Sequence, residues 1–323
     1  MPKRTVSELQ THPRTRRTIL ALSLLICAGC LPTLPAQKAP AGNTPGDTAK
    51  SGPTAVQLDN AESTSKPDDT QVPEANPARP TVTNPAHIPP VGYLQFEQGF
   101  LQGNSSPQLT RQFSVNQNTK LSVKPWLMVQ FFSQPFAFTD LGSGHTWDTG
   151  DLQAGAQVLL IREVGRRPTI AMGYVGRVRS GNAPDLDIGS FSQSALLLIS
   201  GDLGQFHYDS NFVVSEQSSG PARRAQYGQT LSVSHSIFTP DLSLSGELWH
   251  FTQPLVPVSS GTMAHLGANA VGTLWALGYA LCPNLVLDAG IEHGLTSTST
   301  QWEGVAGFTY LLPKRLWNRR LNP

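Results

Sequence analysis

Thr169-Ile170-Ala171-Met172-Gly173-Tyr174-Val175-Gly176-Arg177-Val178-Arg179 decides the fold class. Ile170, Met172, Tyr174 and Val178 fall on one side of an extended chain. Thr169, Ala171, Gly173, Arg177 and Arg179 fall on the other. A period of two with unlike faces marks a strand that meets two different surroundings. The same alternation recurs outward from this block. In Phe206–Ser215, Phe206, Tyr208, Phe212 and Val214 oppose His207, Asp209, Asn211 and Ser215. In Leu285–Gly294, Leu285, Leu287, Ala289 and Ile291 oppose Asp288, Gly290, Glu292 and Gly294.

Extending the pattern from Val91 predicts twelve strands: 91–103, 109–116, 121–134, 152–163, 168–179, 191–201, 205–217, 224–236, 242–253, 266–280, 285–297 and 300–312. Most are a little longer than the ~9–11 residues a tilted strand needs to cross a bilayer. Tight turns are expected at 117–119, 164–167, 202–204, 239–241 and 282–284, where Pro, Gly, Asn and Asp recur. Longer links fall at 135–151, 180–190, 218–223 and 254–265. Short and long links alternate through the middle of the chain, as periplasmic turns and external loops do in outer-membrane barrels. The fold class is therefore all-β, a closed antiparallel transmembrane β-barrel of about 12 strands. An interfacial aromatic girdle is expected from Phe131, Phe132, Tyr174, Tyr227, Trp249, Phe251, Tyr279, Trp302 and Tyr310.

Composition agrees. Charged residues make up 14% of the chain, well under the ~25% of ordinary soluble domains, yet no apolar run after residue 30 is long enough for a membrane helix. A net charge of +1 gives no reason to expect nucleic acid as a partner. Of the three cysteines, Cys27 and Cys30 lie near the start and Cys282 stands alone, which excludes a disulfide framework and a cysteine metal cluster. Neither a phosphate loop nor an HExxH motif is present. No cofactor, metal or catalytic role is expected.

Residues 1–30 read as a signal peptide, with basic Lys3, Arg4, Arg14, Arg16 and Arg17 before the apolar run Ile19–Ala28. Two endings fit it. Ala28-Gly29-Cys30 resembles a lipoprotein ending that would acylate Cys30, and Leu34-Pro35-Ala36 offers an ordinary cleavage site. Residues 31–90 are rich in Pro, Ala, Thr, Ser, Asn and Asp. They hold too little apolar surface to offset chain entropy, so a disordered periplasmic linker is expected. The barrel follows over 91–312, then a basic tail over 313–323.

The polar strand faces should line the interior. The candidates are Arg177, Arg179, His207, Asp209, Asn211, Glu247, Asp288 and Glu292, together with Glu97, Gln153, Gln157 and Glu303. Their mixed signs suit either a weakly selective pore or an internal ion-pair network, with Arg177 and Arg179 against Asp288 and Glu292 as the first pairs to consider. A hydrolase reading would need His207, Asp209 and Asn211 to meet a serine such as Ser232 or Ser234.

Leu277-Gly278-Tyr279-Ala280-Leu281-Cys282-Pro283-Asn284-Leu285-Val286-Leu287-Asp288-Ala289-Gly290, then Glu292, Gly294-Leu295-Thr296, Gly304 and Gly307-Phe308-Thr309-Tyr310, resemble the closing strands of outer-membrane transporters grouped as "MetA-pathway of phenol degradation" proteins. The resemblance is specific over about 275–312. It implies an outer-membrane barrel that passes small organic compounds, aromatic or hydrophobic ones among them, and it supplies no catalytic residues. Membrane lipids, small solutes and the barrel-assembly machinery are the implied partners. A non-transporting adhesin or anchor acting through loops 135–151 and 254–265 is the alternative. The chain departs from the usual C-terminal aromatic signal, because Pro313 and basic residues follow the last strand. An internal signal at Phe308 or Tyr310 would be required.

Overall fold

The computed structural model describes residues 73–317, apart from 107–108, 185, 187–190, 220–221 and 253–268. Thirteen strands follow in order: β1 (Leu94–Asn104), β2 (Arg111–Lys124), β3 (Leu127–Asp140), β4 (His145–Asp148), β5 (Leu152–Ile161), β6 (Thr169–Arg179), β7 (Phe191–Leu203), β8 (Phe206–Ser219), β9 (Ala222–Ser236), β10 (Leu242–Phe251), β11 (Ala270–Cys282), β12 (Leu285–Gly294) and β13 (Trp302–Leu311). Each barrel strand pairs antiparallel with its neighbours, and β1 closes on β13 through ten paired positions from Gln95↔Leu311 to Asn104↔Trp302. Twelve strands make the ring. The short β4 pairs only with the outer part of β3.

The sequence pattern explains the closure. On most strands the buried alternate positions are largely polar: Gln112 and Ser114 on β2, Ser194 and Ser200 on β7, Thr230 and Ser232 on β9, whereas β11 buries Ala270, Leu274 and Ala276 and β6 buries Ala171 and Val175. The alternate positions are large, apolar and exposed, such as Met172, Phe212, Leu231, Leu248, Trp275 and Ile291. In water this arrangement would be inside out. In a bilayer it is stable, because hydrocarbon takes the apolar face while closure leaves no unpaired strand edge. Both ends of the barrel chain lie on the rim with the connections 125–126, 162–168, 204–205, 237–241 and 283–284. That rim is the periplasmic one. In the two-residue turn 204–205, Gly204 takes φ +67°, a conformation that suits glycine.

Several sequence expectations about the wall need correction. The turn expected at 117–119 lies inside β2, and the actual reversal is at Pro125-Trp126. The polar run Gln117-Asn118-Thr119 reads as a turn, but its residues serve opposite faces. Asn118 is buried inside, while Gln117 bonds Gln98 of β1. Pro125 has no N–H to donate and ends the ladder there. Second, β3 continues to Asp140 and β4 follows, so 135–151 is largely an extended hairpin. The link expected at 218–223 likewise shrinks, because β8 and β9 extend to Ser219 and Ala222. Third, the aromatic girdle loses members. Phe131, Tyr174, Tyr227, Tyr279 and Trp302 are exposed, but Phe132 lines an internal cavity, and Trp249 and Phe251 are almost wholly buried and face inward. Their register partners explain it: Trp249 stands opposite Gly272 and Phe251 opposite Gly228, and a Cβ at either glycine would collide with the ring.

The signal peptide, Cys30, loop 254–265 and the end of the tail lie outside the described residues, as does the expected linker as far as residue 72. The start of the tail folds back: Arg315 donates from Nε to the Val91 carbonyl at 3.1 Å and lies 5.4 Å from the Tyr93 ring centroid.

Candidate functional site

Residues 73–90 correct the linker expectation most. They form no regular structure, yet they lie inside the barrel. The segment enters beside the periplasmic turn before β12, where the Ala75 N–H donates to the Pro283 carbonyl at 2.8 Å. It leaves beside the start of β6, where His87 Nε2 is 3.0 Å from Thr169 Oγ1. The two feet touch, with Asn76 Nδ2 donating to the His87 carbonyl at 3.3 Å. The segment is therefore a loop pushed into the lumen from the periplasmic end.

Wall side chains hold this loop by its backbone. The Gln95 amide takes both backbone groups of Asn76, at 2.9 and 2.6 Å. The Asn211 amide does the same for Asn84, at 2.7 and 2.8 Å. Glu247 accepts from the Val82 and Thr83 N–H groups and from the Thr83 hydroxyl. Ser200 Oγ accepts from the Ala86 N–H at 2.7 Å, and Gln157 donates to the Pro85 and Ala86 carbonyls. Buried backbone groups require partners, and here the ring of polar wall residues provides them. Proline reduces the number required. Pro73, Pro77, Pro80, Pro85, Pro89 and Pro90 have no N–H to satisfy. Apolar spots in the wall are covered too, with Val82 against Trp249 and Phe251, and Ala86 against Ala171 and Leu198.

One side chain of the loop lies flat on the wall. Gly99 of β1 pairs with Gly307 of β13, which pairs in turn with Asp288 of β12. The Arg79 guanidinium occupies the space a Cβ on Gly99 would fill and comes within 2.9 Å of one on Gly307, and its Nε is 3.8 Å from Asp288 Oδ1.

The sequence candidates separate into distinct roles. Glu247, Asn211 and Gln157 anchor the loop, and Asp288 faces Arg79. Glu97 is buried and bonds Lys120 Nζ at 2.6 Å and the Ala78 N–H at 3.3 Å. Glu292 accepts from Trp249 Nε1 at 2.9 Å. Arg177 pairs with Asp151 at 3.3 Å. The expected pairing of Arg177 and Arg179 with Asp288 and Glu292 does not occur, because β6 and β12 stand on opposite sides of the ring. Arg179 is exposed at the outer end of β6. Glu303 and Gln153 line cavities beside the loop.

His207 lies near the periplasmic rim, 2.7 Å from Asp202 and 3.5 Å from Asp209. Asp209 accepts a hydrogen bond from Ser200. A carboxylate thus stands between the serine and the imidazole, the reverse of the order in which a base activates a hydroxyl. Ser232 and Ser234 are register partners of Asp209 and His207.

Sequence reasoning missed Arg79, Gln95, Lys120, Ser200 and the Gly99–Gly307 pair. Gln95 alternates with Glu97 and was legible as a second inward polar residue. Arg79 carried no signal, since nothing in a proline-rich stretch says that it enters a barrel.

No family model matches the chain, and no curated protein matches its sequence. Among solved structures, the COG4313 outer membrane channel from Pseudomonas putida F1 superposes with a TM-score of 0.53 at 15% identity, over 74% of this chain and 100% of that one. A looser superposition, TM-score 0.42 at 11% identity, is found with the KdgM porin, over 67% of this chain and 98% of that one. The first likeness is one of fold. The chain is an outer-membrane β-barrel. Its apolar exterior, closed ladder and polar interior require that, and the superposition agrees with it.

Proposed function

We propose that this barrel is a passive outer-membrane channel for small organic solutes, closed by residues 73–90. One observation carries the reading: the lumen is occupied by a loop that side chains hold, not by a strand built into the sheet. Each contact can be released without breaking the ladder. Cavities of about 440 and 300 Å3 flank the loop inside the polar ring. The likeness of 275–312 to transporters grouped with phenol degradation supports solute passage, and aromatic or hydrophobic cargo rests on that likeness alone.

Planar-bilayer conductance and liposome uptake test it. The intact barrel should conduct rarely, and deletion of 73–86 should give steady conductance while heat-modifiable migration persists. A deletion variant that folds, migrates as a barrel and passes neither ions nor phenolics would overturn the channel. The filled lumen would then favour the second reading, a barrel acting as a surface or structural anchor.

A further inference from the structure

The larger cavity lies between the loop and the wall formed by β1, β2, β3 and β5. At about 440 Å3 it falls within the range of small-molecule sites, roughly 300–1,000 Å3. Its lining is unusual in chemistry. Amide-bearing residues line it on several sides: Asn84 of the loop, Asn116 and Asn118 of β2, Gln134 of β3 and Gln153 of β5, with Gln117, whose amide is bonded to Gln98. Phe132 adds one aromatic face.

The charges that border the cavity are matched within the protein. Glu97 holds Lys120 at 2.6 Å, Arg79 faces Asp288 at 3.8 Å and Asp151 holds Arg177 at 3.3 Å. An entering ion would find no unmatched charge among these to oppose it. A neutral hydroxyl-bearing solute would find donors and acceptors on several sides, because each amide offers both. Asn118 sharpens the point. It is 8% exposed, its Nδ2 makes only a 3.5 Å contact with Glu97, and its Oδ1 has no partner. Buried polar atoms of this kind are nearly always satisfied. An acceptor left over at a cavity wall suits a hydroxyl donor.

From this arrangement we infer that the cavity is a binding site for a neutral polyhydroxylated solute of the sugar class, with its hydroxyls on the amides and one C–H face on Phe132. The inference rests on the channel reading and narrows its solute.

Equilibrium binding to the purified full-length barrel in detergent tests the site without relying on flux. The probes are glucose, sorbitol, glucuronate, glucosamine and phenol, followed by calorimetry and ligand-observed NMR. Glucose should bind at least about tenfold more tightly than glucuronate or glucosamine, since each of those adds an unmatched charge. Tighter binding of glucose than of sorbitol assigns the ring face to Phe132, and equal binding removes that role and overturns the sugar assignment in favour of linear polyols. Asn118→Leu, and independently Gln153→Leu, should each weaken glucose about tenfold, with heat-modifiable migration unchanged. Gln153→Leu carries the test if Asn118→Leu does not fold. Phenol binding that exceeds glucose, equal binding of the charged sugars, or indifference of a folded variant would overturn the site. Binding without conductance in any form would remove the channel reading and leave the site standing. Conductance without glucose binding would do the opposite.

Discussion

Glu247 of β10 and Thr83 of the lumen loop are joined twice: the Thr83 N–H and hydroxyl both donate to Glu247 Oε1, at 2.7 and 2.6 Å. The adjacent Val82 N–H donates to Oε2 at 2.9 Å. One carboxyl group thus fixes the middle of a segment 164 residues earlier in the chain. Each hydrogen bond contributes about 0.5–1.5 kcal/mol net, so the three together contribute about 1.5–4.5 kcal/mol. Glu247→Ala should therefore raise the open fraction of the lumen about 10–1,000-fold, read as open probability in planar bilayers. Glu247→Gln should fall between, because its amide keeps one acceptor oxygen and turns an NH2 towards a donor.

Gly99 and Gly307 make a second, steric prediction. A methyl group at Gly99 occupies the position of the Arg79 guanidinium. Overpacking of this kind costs about 1–3 kcal/mol. Gly99→Ala should loosen the loop and leave the β1–β13 seam intact. A cysteine placed at Thr81 would report it, reacting faster with a water-soluble thiol reagent in the Gly99→Ala background than in the parent. Equal rates would show that Arg79 is not seated there.

The two faces of a strand can be compared directly on β9. Leu231 is 47% exposed on the outer surface, and its neighbour Thr230 is buried inside. Leu231→Arg puts a charge into hydrocarbon and should cost about 2–4 kcal/mol. The loss is measurable as a lower urea midpoint for unfolding from lipid vesicles. Leu231→Phe should unfold within error of the parent.

Tryptophan fluorescence tests the inward assignment of Trp249. Trp275 is 61% exposed on the outer face and Trp249 is 2% exposed inside, bonded to Glu292. In variants that keep a single tryptophan, brominated lipids should quench Trp275 strongly and Trp249 hardly at all. Strong quenching of Trp249 would place it in the girdle that the sequence suggested.

Most of the wall was legible in the sequence because alternation is a local signal. Thr169–Arg179 shows its two faces without reference to any other residue, and β6 spans those residues. The β2–β3 hairpin misled because Gln117-Asn118-Thr119 resembles a turn to any rule that reads polarity alone, while the reversal is at Pro125-Trp126. Trp249 and Phe251 misled because room for them comes from glycines on neighbouring strands. The candidate residues were found as inward polar groups, but their partners were not, since Arg177 and Asp288 share a polarity pattern without sharing a side of the ring. The loop was least legible. Low hydrophobicity and many prolines describe a chain with no core of its own, and they describe equally a chain whose few donors are satisfied by a polar wall.

Both feet of that loop stand at the periplasmic rim, linked through Asn76 and His87. A pull on the chain ahead of Pro73 would load the anchors in succession, Gln95 first, then Glu97 and Asp288, then Glu247 and Asn211, and Ser200 last. A hairpin gripped in this order unzips under tension instead of shearing, so little force at any instant would draw it out. The same geometry would make such an opening directional, since both feet of the loop lie at one rim of the barrel.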